Sequence, residues 1–177
     1  MTIAMAGDLA LRPVRTGDLD VFDEAFSGEE GASEYQWFGF TASHGLRAAL
    51  ESRGLLGGPD NMLSVTVGGD LAGRVEWLER RWGRRDTSFC WEIAVGILPS
   101  WRGRGVGTWA QRELVHYLFT HTRVERIQAT TDPENLAELR CLEKIGFERE
   151  GVVRRAQWRG GRWHDQVLFS LLRPVEG

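Results

Sequence analysis

The sequence predicts a mixed α/β domain, with about seven strands in one sheet flanked by about four helices, a class some schemes place under α+β. Three observations predict it. An apolar, β-branched run near residue 92 passes through a glycine-rich loop into a long amphipathic segment, which reads as strand, loop, helix. Ahead of it, two apolar runs flank Gly68-Gly69, a two-residue hairpin turn. Behind it come one more strand-helix unit and a closing strand pair around Gly160-Gly161. The hairpin-rich front half excludes the regular alternation of a doubly wound sheet. A chain of 177 residues, 42% hydrophobic, suits one full core rather than disorder. Residues 9–173 are expected to form that single domain, with loose tails at 1–8 and 174–177.

In chain order, Leu9 to Val14 alternates as a first strand, ended near Pro13. Thr16-Gly17-Asp18 offers helix-start chemistry, and Leu19, Phe22 and Phe26 form an apolar face at helical spacing. Ser27 to Ser33 is a polar loop. His44 to Arg53 is a second helix, stopped by Gly54. Met62 to Val67 and Leu71 to Leu78 form the hairpin, and Glu79 to Asp86, charged and arginine-rich, reads as a mobile loop. Ser88 to Ile97 is the strand that enters the glycine loop. The helix from Thr108 to Thr122 carries Ala110, Leu114, Tyr117 and Leu118 on one stripe. Val124 to Thr130 is a strand. Asp132-Pro133-Glu134-Asn135 then starts a helix with Leu136, Leu139, Leu142 and Ile145 on its apolar face, and Gly146 ends it. Strands from Phe147 and from Trp163 to Leu172 close the chain.

The glycine loop carries the clearest chemistry. Unpaired N–H groups at a helix start, with the helix dipole behind them, attract an anion. Gly103, Gly105 and Gly107 let the backbone approach it, and Arg102 and Arg104 add fixed charge, which points to a diphosphate. The nucleotide P-loop needs Gly-Lys-Ser/Thr, whereas Gly107 is followed by Thr108-Trp109. The dinucleotide fingerprint, counted from Gly103, needs glycine where Thr108 stands. A plain glycine turn before a helix is the bland alternative.

Composition narrows the partners. A net charge of -3 and a pI near 5.8 argue against a nucleic-acid surface. Two cysteines, Cys90 and Cys141, stand far apart without ligand spacing, and isolated histidines add none, so free buried thiols and no metal are expected. Without a leader segment or a long apolar run, a cytoplasmic protein free of the membrane is expected. Of eight tryptophans, Trp37, Trp82, Trp158 and Trp163 lie in or near loops and suit a pocket wall. Glu34 to Phe40 is unusually aromatic for a connector, either a clasp over the core or part of such a wall.

Arg-x-x-Gly-x-Gly, Arg102 to Gly107, resembles the pyrophosphate loop of the GNAT acyltransferases. Asn135 through Phe147, an Asn opening a helix that ends Glu-Lys-x-Gly-Phe, is similar to the second motif of that family. The two lie in the order and spacing the family requires, and the resemblance runs from Leu9 to Arg173. Gly161 to Asp165 further resembles the branch with the ribosomal-protein N-terminal alanine acetyltransferases, which also holds enzymes of small amines. The resemblance implies the GNAT fold with a splayed strand pair, and acetyl-CoA as co-substrate. It implies that Val95, Gly96 and Ile97 pair with the pantetheine, that the backbone of Arg102, Gly103, Arg104, Gly105, Val106, Gly107 and Thr108 holds the pyrophosphate, and that Asn135 touches the cofactor beyond capping its helix.

Acetyl transfer to an amine needs a base, an oxyanion donor and a proton for the thiolate. Glu92, charged in an apolar strand, matches an acidic position of some family members and is the leading base; pairing with an arginine on the outer face is its alternative role. Glu76 on the neighbouring strand is second, as base or as holder of an ammonium, and the N–H near Val95 is the oxyanion donor. The family's thiolate-protonating tyrosine is replaced by Leu142, and the serine of the branch resembled by Glu138. Glu138 serves if its pKa is raised, a solvent-facing side chain being its alternative state; Tyr117, His116 or water are the others. Glu34, Trp37, Phe38, Phe40, Trp158 and His164 are the candidate acceptor pocket. The expected function is acetyl-CoA-dependent N-acetylation of a small metabolite, antibiotic-like amine or protein N-terminus, by a monomer or homodimer. A catalytically silent acyl-CoA-binding or partner-binding domain of the same fold is the alternative.

Overall fold

The computed structural model describes residues 9–174, so the expected tail at 1–8 and all but Pro174 of the tail at 174–177 lie outside the described residues. The elements run β1 (Leu9–Pro13), α1 (Thr16–Ala25), α2 (Glu29–Ala32), α3 (His44–Arg53), β2 (Asp60–Val67), β3 (Asp70–Arg81), α4 (Arg85–Ser88) and β4 (Phe89–Ile97). After a single 3₁₀ turn at Pro99–Trp101 come α5 (Val106–His121), β5 (Arg126–Thr131), α6 (Leu136–Lys144), β6 (Glu148–Arg159) and β7 (Arg162–Leu172). The seven strands form one sheet in the order β1-β2-β3-β4-β5-β7-β6. All neighbours are antiparallel except β4 and β5.

Strand β2 is buried from Asn61 to Val67 although Asn61, Ser64 and Thr66 are polar, each of the three making a hydrogen bond. Leu63, Val65 and Val67, with Val75, Trp77 and Ile93, pack against Ala110, Leu114 and Leu118 of α5. On the opposite face Met62 joins Leu19 and Phe22 of α1 in a second, smaller cluster. The hairpin turns are of the type the glycine pairs demand: φ is +60° and +92° at Gly68-Gly69, and +52° and +77° at Gly160-Gly161. Type I′ turns, with positive φ at both positions, match the twist of the flanking strands. Asp18 caps the Arg15 N–H at 2.8 Å, pairs with Arg12 at 2.6 Å and accepts from Ser64 at 2.7 Å, tying α1 to β1 and β2.

Several boundaries differ from those expected. The segment Glu79 to Asp86 is not a loop throughout: β3 continues to Arg81 because Arg80 and Arg81 pair with Cys90 and Phe89 of β4, and Arg85–Ser88 makes one helical turn. The polar loop before α3 holds the short α2. Helix α5 starts two residues early, at Val106, because Gly105 adopts φ +81° and turns the chain into it. Leu136, placed on the apolar face of α6, is 57% exposed, while Leu142 is fully buried.

Candidate active site

The site is built where the two parallel strands part. Strands β4 and β5 pair only at Trp91–Ile127 and Glu92–Gln128, although β4 runs on to Ile97 and β5 to Thr131. Beyond Glu92 a gap opens between them. Gln36 reaches in and donates from Nε2 to the Val95 carbonyl at 3.2 Å. In a strand the N–H and C=O of one residue point the same way. The Val95 N–H is therefore aimed into the gap as well.

The glycine loop closes one end of that gap. A Cβ added at Gly103 or Gly105 would meet nothing within 4 Å, and both glycines have positive φ, +71° and +81°. The first intrahelical bond of α5 is the Trp109 N–H to the Gly105 carbonyl at 3.0 Å. The N–H groups of Val106, Gly107 and Thr108 thus have no partner within the helix. Open space, free donors and the helix dipole suit an anionic group. The arginine side chains take other work. Arg102 donates to the Ile97 carbonyl at 2.9 Å and to the Gly31 carbonyl, which staples the loop to α2, and Arg104 lies over the Trp101 ring at 5.3 Å. Any attraction for an anion here falls chiefly to the backbone.

Across the gap, Asn135 caps α6: its Oδ1 accepts the Glu138 N–H at 3.3 Å, which leaves the two Nδ2 donors available. Glu138 is half-buried, with its carboxylate turned toward α5. Gln111 of α5 donates to Glu138 Oε2 at 3.3 Å and to Cys141 Sγ at 3.1 Å, and the Cys141 thiol donates to Thr108 Oγ1 at 3.3 Å. Burial raises the Glu138 pKa to about 6, against the smaller opposing pull of the Gln111 hydrogen bond. Both cysteines are buried free thiols, as their apolar settings suggested. Tyr117 packs on Trp77 and His121, eleven residues along α5 from Val106 and so roughly 16 Å from the loop.

Register places the remaining carboxylates. Leu78, Glu92, Gln128 and Ser170 face one another across β3, β4, β5 and β7, and Glu76 lies opposite Ala94. Facing residues share a sheet face, so Glu76 and Glu92 stand on the side away from α5. Glu92 is engaged on both oxygens, with Arg80 at 3.2 Å and Gln128 Nε2 at 2.8 Å. Glu76 pairs with Arg74 at 2.6 Å, and that guanidinium lies over the Phe22 and Phe26 rings at 5.4 and 4.9 Å.

On the same face a cavity of about 580 Å³ is lined by Phe22, Phe26, Arg74 and Gly96, and by Trp37, Phe38 and Phe40 from the aromatic connector. Trp37 and Phe40 meet edge to face at 5.2 Å, and Phe40 is 91% exposed. The other expected pocket residues stand apart from this cavity. Trp158 meets Trp163 edge to face, with ring centroids 5.6 Å apart, near the tip of the β6–β7 hairpin. The Glu34 carbonyl accepts from Arg159 at 2.7 Å. His164 bonds through Nδ1 to Asp132 at 3.1 Å, and Arg159 pairs with the same carboxylate. Gln36, Gln111, Gln128, Asp132 and Arg159 carry no local sequence signal of their role, because each acts through a partner far along the chain.

Residues 8–148 match a family model described as the acetyltransferase (GNAT) domain. The chain belongs to the GNAT acetyltransferase family. Its fold matches the spermidine N-acetyltransferase of Vibrio cholerae crystallised with CoA and spermine, with a TM-score of 0.79 at 22% identity over 94% of this chain and 96% of that one. It also matches RimL, a ribosomal L7/L12 alpha-N-protein acetyltransferase in complex with CoA, with a TM-score of 0.76 at 15% identity over 96% and 97% of the two chains. The probable N-acetyltransferase YjcK of Bacillus subtilis strain 168 is 39% identical over 104 residues, 59% of this chain and 56% of that protein. An aminoglycoside N(6')-acetyltransferase type 1 of Klebsiella pneumoniae is 49% identical over 51 residues, 29% of this chain and 25% of that protein. The matched stretch spans about half the length of the first of these relatives and a quarter of the second. The parted β4 and β5 match the splayed strand pair that the resemblance implies, and the glycine loop lies directly before α5.

Proposed function

We propose that this GNAT-family chain is an acetyl-CoA-dependent N-acetyltransferase of the cytoplasm, moving an acetyl group directly to a primary amine. The observation that carries the proposal is the gap between β4 and β5, with the Val95 N–H aimed into it and the glycine loop at its end. A thioester arm suits that gap because the edges of Val95, Gly96 and Ile97 toward β5 are free of a strand partner. The N–H groups from Gly103 to Thr108 then hold the pyrophosphate, the expected Arg102 N–H being taken up by the Pro99 carbonyl at 3.3 Å, and Asn135 Nδ2 reaches the arm from the other wall. Acetyl-CoA supplies the activated acyl group.

The chain's own residues handle protons and position. Glu92 takes the proton of the incoming ammonium, with Gln128 and Arg80 fixing its carboxylate. Glu76 holds the ammonium beforehand. Glu138, with its pKa raised to about 6, supplies a proton to the departing thiolate. The exposed rings of Phe38 and Phe40, with the half-buried Trp37 beside them, favour an amine with a flat or apolar part, whether metabolite, antibiotic-like amine or protein N-terminus. The test is a panel of amino acids, polyamines, aminoglycosides and short peptides, read by free-thiol release from acetyl-CoA. Release dependent on at least one amine supports the proposal; silence across the panel with acetyl-CoA still bound favours the non-catalytic alternative.

A further inference from the structure

We propose that His164, oriented by the buried carboxylate of Asp132, is the group that accepts the proton of the acceptor nitrogen as the amide bond forms. This rests on the acetyl-transfer reading above. It assigns the pair Asp132 and His164 a role that neither the family resemblance nor the relatives supply.

Placement comes first. Strand β7 runs antiparallel to β5, with Val167 opposite Thr131, the last residue of β5. His164 therefore lies past the end of β5, beside the turn of residues 132–134 that follows it. Counting back by twos from Ser170, which faces Gln128, puts His164 on the same sheet face as Glu92 and Glu76. The acceptor would arrive on that face.

Orientation comes second. The Asp132 side chain is 4% exposed and accepts from three sides: Arg159 Nη2, the Glu134 N–H at 2.9 Å and His164 Nδ1 at 3.1 Å. Burial opposes its charge, but the Glu134 N–H, Arg159 and His164 outweigh burial and lower its pKa. An ionised carboxylate can only accept, so Nδ1 carries the proton shared with Asp132, and Nε2 is the bare nitrogen of the neutral imidazole. No hydrogen bond within the described residues occupies Nε2.

Rigidity comes third. Arg159 also holds the Glu34 carbonyl at 2.7 Å, and the Tyr35 hydroxyl donates to the Glu134 carbonyl at 3.2 Å. The next residue, Gln36, is the one that reaches Val95. The segment 34–36, the turn after β5 and the hairpin carrying His164 are thus one braced unit around the mouth of the gap. A base fixed this way is preorganised for its task.

The step balances. An ammonium acceptor must lose two protons to become a neutral amide. The first is lost to Glu92, and from it to solvent, before the amine moves along the gap to the thioester. The nitrogen lone pair then forms the C–N bond to the acetyl carbon, the C–S bond breaks with its electron pair on sulfur, and the second N–H proton passes to His164 Nε2. The thiolate takes a proton from Glu138, and solvent exchange resets both His164 and Glu138. His164 is the catalytic residue and Asp132 its positioning residue.

The experiment compares wild type with His164→Ala, using spermidine, kanamycin and a peptide with a free N-terminus as probes, with and without imidazole in solution. The expected result is a fall in kcat of ~10²–10⁴-fold, an unchanged KM for acetyl-CoA, and partial recovery of kcat on adding imidazole, which a purely structural loss would not show. Nitrogen NMR of the wild-type imidazole is expected to show the proton on Nδ1. Turnover by His164→Ala within about threefold of wild type, a loss that imidazole does not relieve, or a proton on Nε2 would overturn the proposal. Wild-type silence on every amine would instead refute the transfer reading itself.

Discussion

Replacing Glu138 by glutamine separates the cost of a buried carboxyl from its use. The group titrates near 6 in the folded chain against 4.5 when solvated, because burial disfavours its charge. A shift of that size corresponds to about 2 kcal/mol. The sign follows from proton uptake: between the two values the folded chain binds more protons than the unfolded one, so stability falls as pH rises through that window. The wild type carries the full penalty above about pH 7 and none below about pH 4. Glutamine cannot ionise, and its carboxamide oxygen can still accept from Gln111. Glu138→Gln should therefore leave stability unchanged at pH 4 and raise it at pH 8 by about 2 kcal/mol, or roughly 4–8 °C in Tm for a chain of this size. Urea and thermal melts of both proteins at the two pH values measure this difference, and charges elsewhere cancel between them. The same variant should lower kcat for thiol release, since the amide has no proton to give. Destabilisation at pH 8, or an equal difference at both pH values, would refute the assignment of a proton-retaining buried carboxyl.

Three further outcomes follow from the same geometry. Glu92→Gln should lower kcat by ~10²-fold or more, with little change in Tm because its partner Arg80 is half-exposed; turnover unchanged across pH in steady-state assays would move the base elsewhere. Asp18, held at about 2 mainly because Arg12, the Arg15 N–H and Ser64 together outweigh the opposing effect of its burial, contributes about 2 kcal/mol above pH 4 that is lost as pH falls toward 2. Asp18→Asn should thus be less stable at pH 7 by at least that amount, with the gap closing in acid, as read by urea unfolding at each pH. Leu142→Tyr, which restores the family's usual side chain, should destabilise by about 1–3 kcal/mol because Leu142 is fully buried; a gain in kcat without loss of stability would show that the position opens to the thiol.

The parts of this fold that were legible in the sequence are those specified by neighbours along the chain. Gly68-Gly69 and Gly160-Gly161 announce turns because only glycine accepts positive φ at both positions without cost. Asn135 announces a helix start because its side chain must satisfy an N–H three residues on. Strand β3 was read too short because Glu79 to Arg81 look like a solvated loop, whereas pairing with Phe89 to Trp91 overrides that preference. Glu138 sits on a helix face whose exposure is decided by Gln111 on another helix, which periodicity within α6 does not encode. Asp132 and His164 meet across 32 positions of chain, so no spacing rule links them. Arg102, chosen for its charge next to the glycines, instead spends it on the Ile97 and Gly31 carbonyls, contacts made through the fold of α2. Charge in a motif identifies a neighbourhood, and only the fold assigns each side chain its partner.

Calorimetric titration of acetyl-CoA into the wild-type chain and into Gly105→Glu tests the central claim most directly. Gly105 holds φ +81° at the start of α5 with open space in front of it. A glutamate there adds roughly 1–2 kcal/mol of backbone strain and puts a carboxylate where the pyrophosphate is to lie. The account predicts saturable one-to-one binding by wild type and its loss in Gly105→Glu, with circular dichroism showing the variant folded. No binding by wild type, or equal binding by the two proteins, would contradict an acyl-CoA site at this loop.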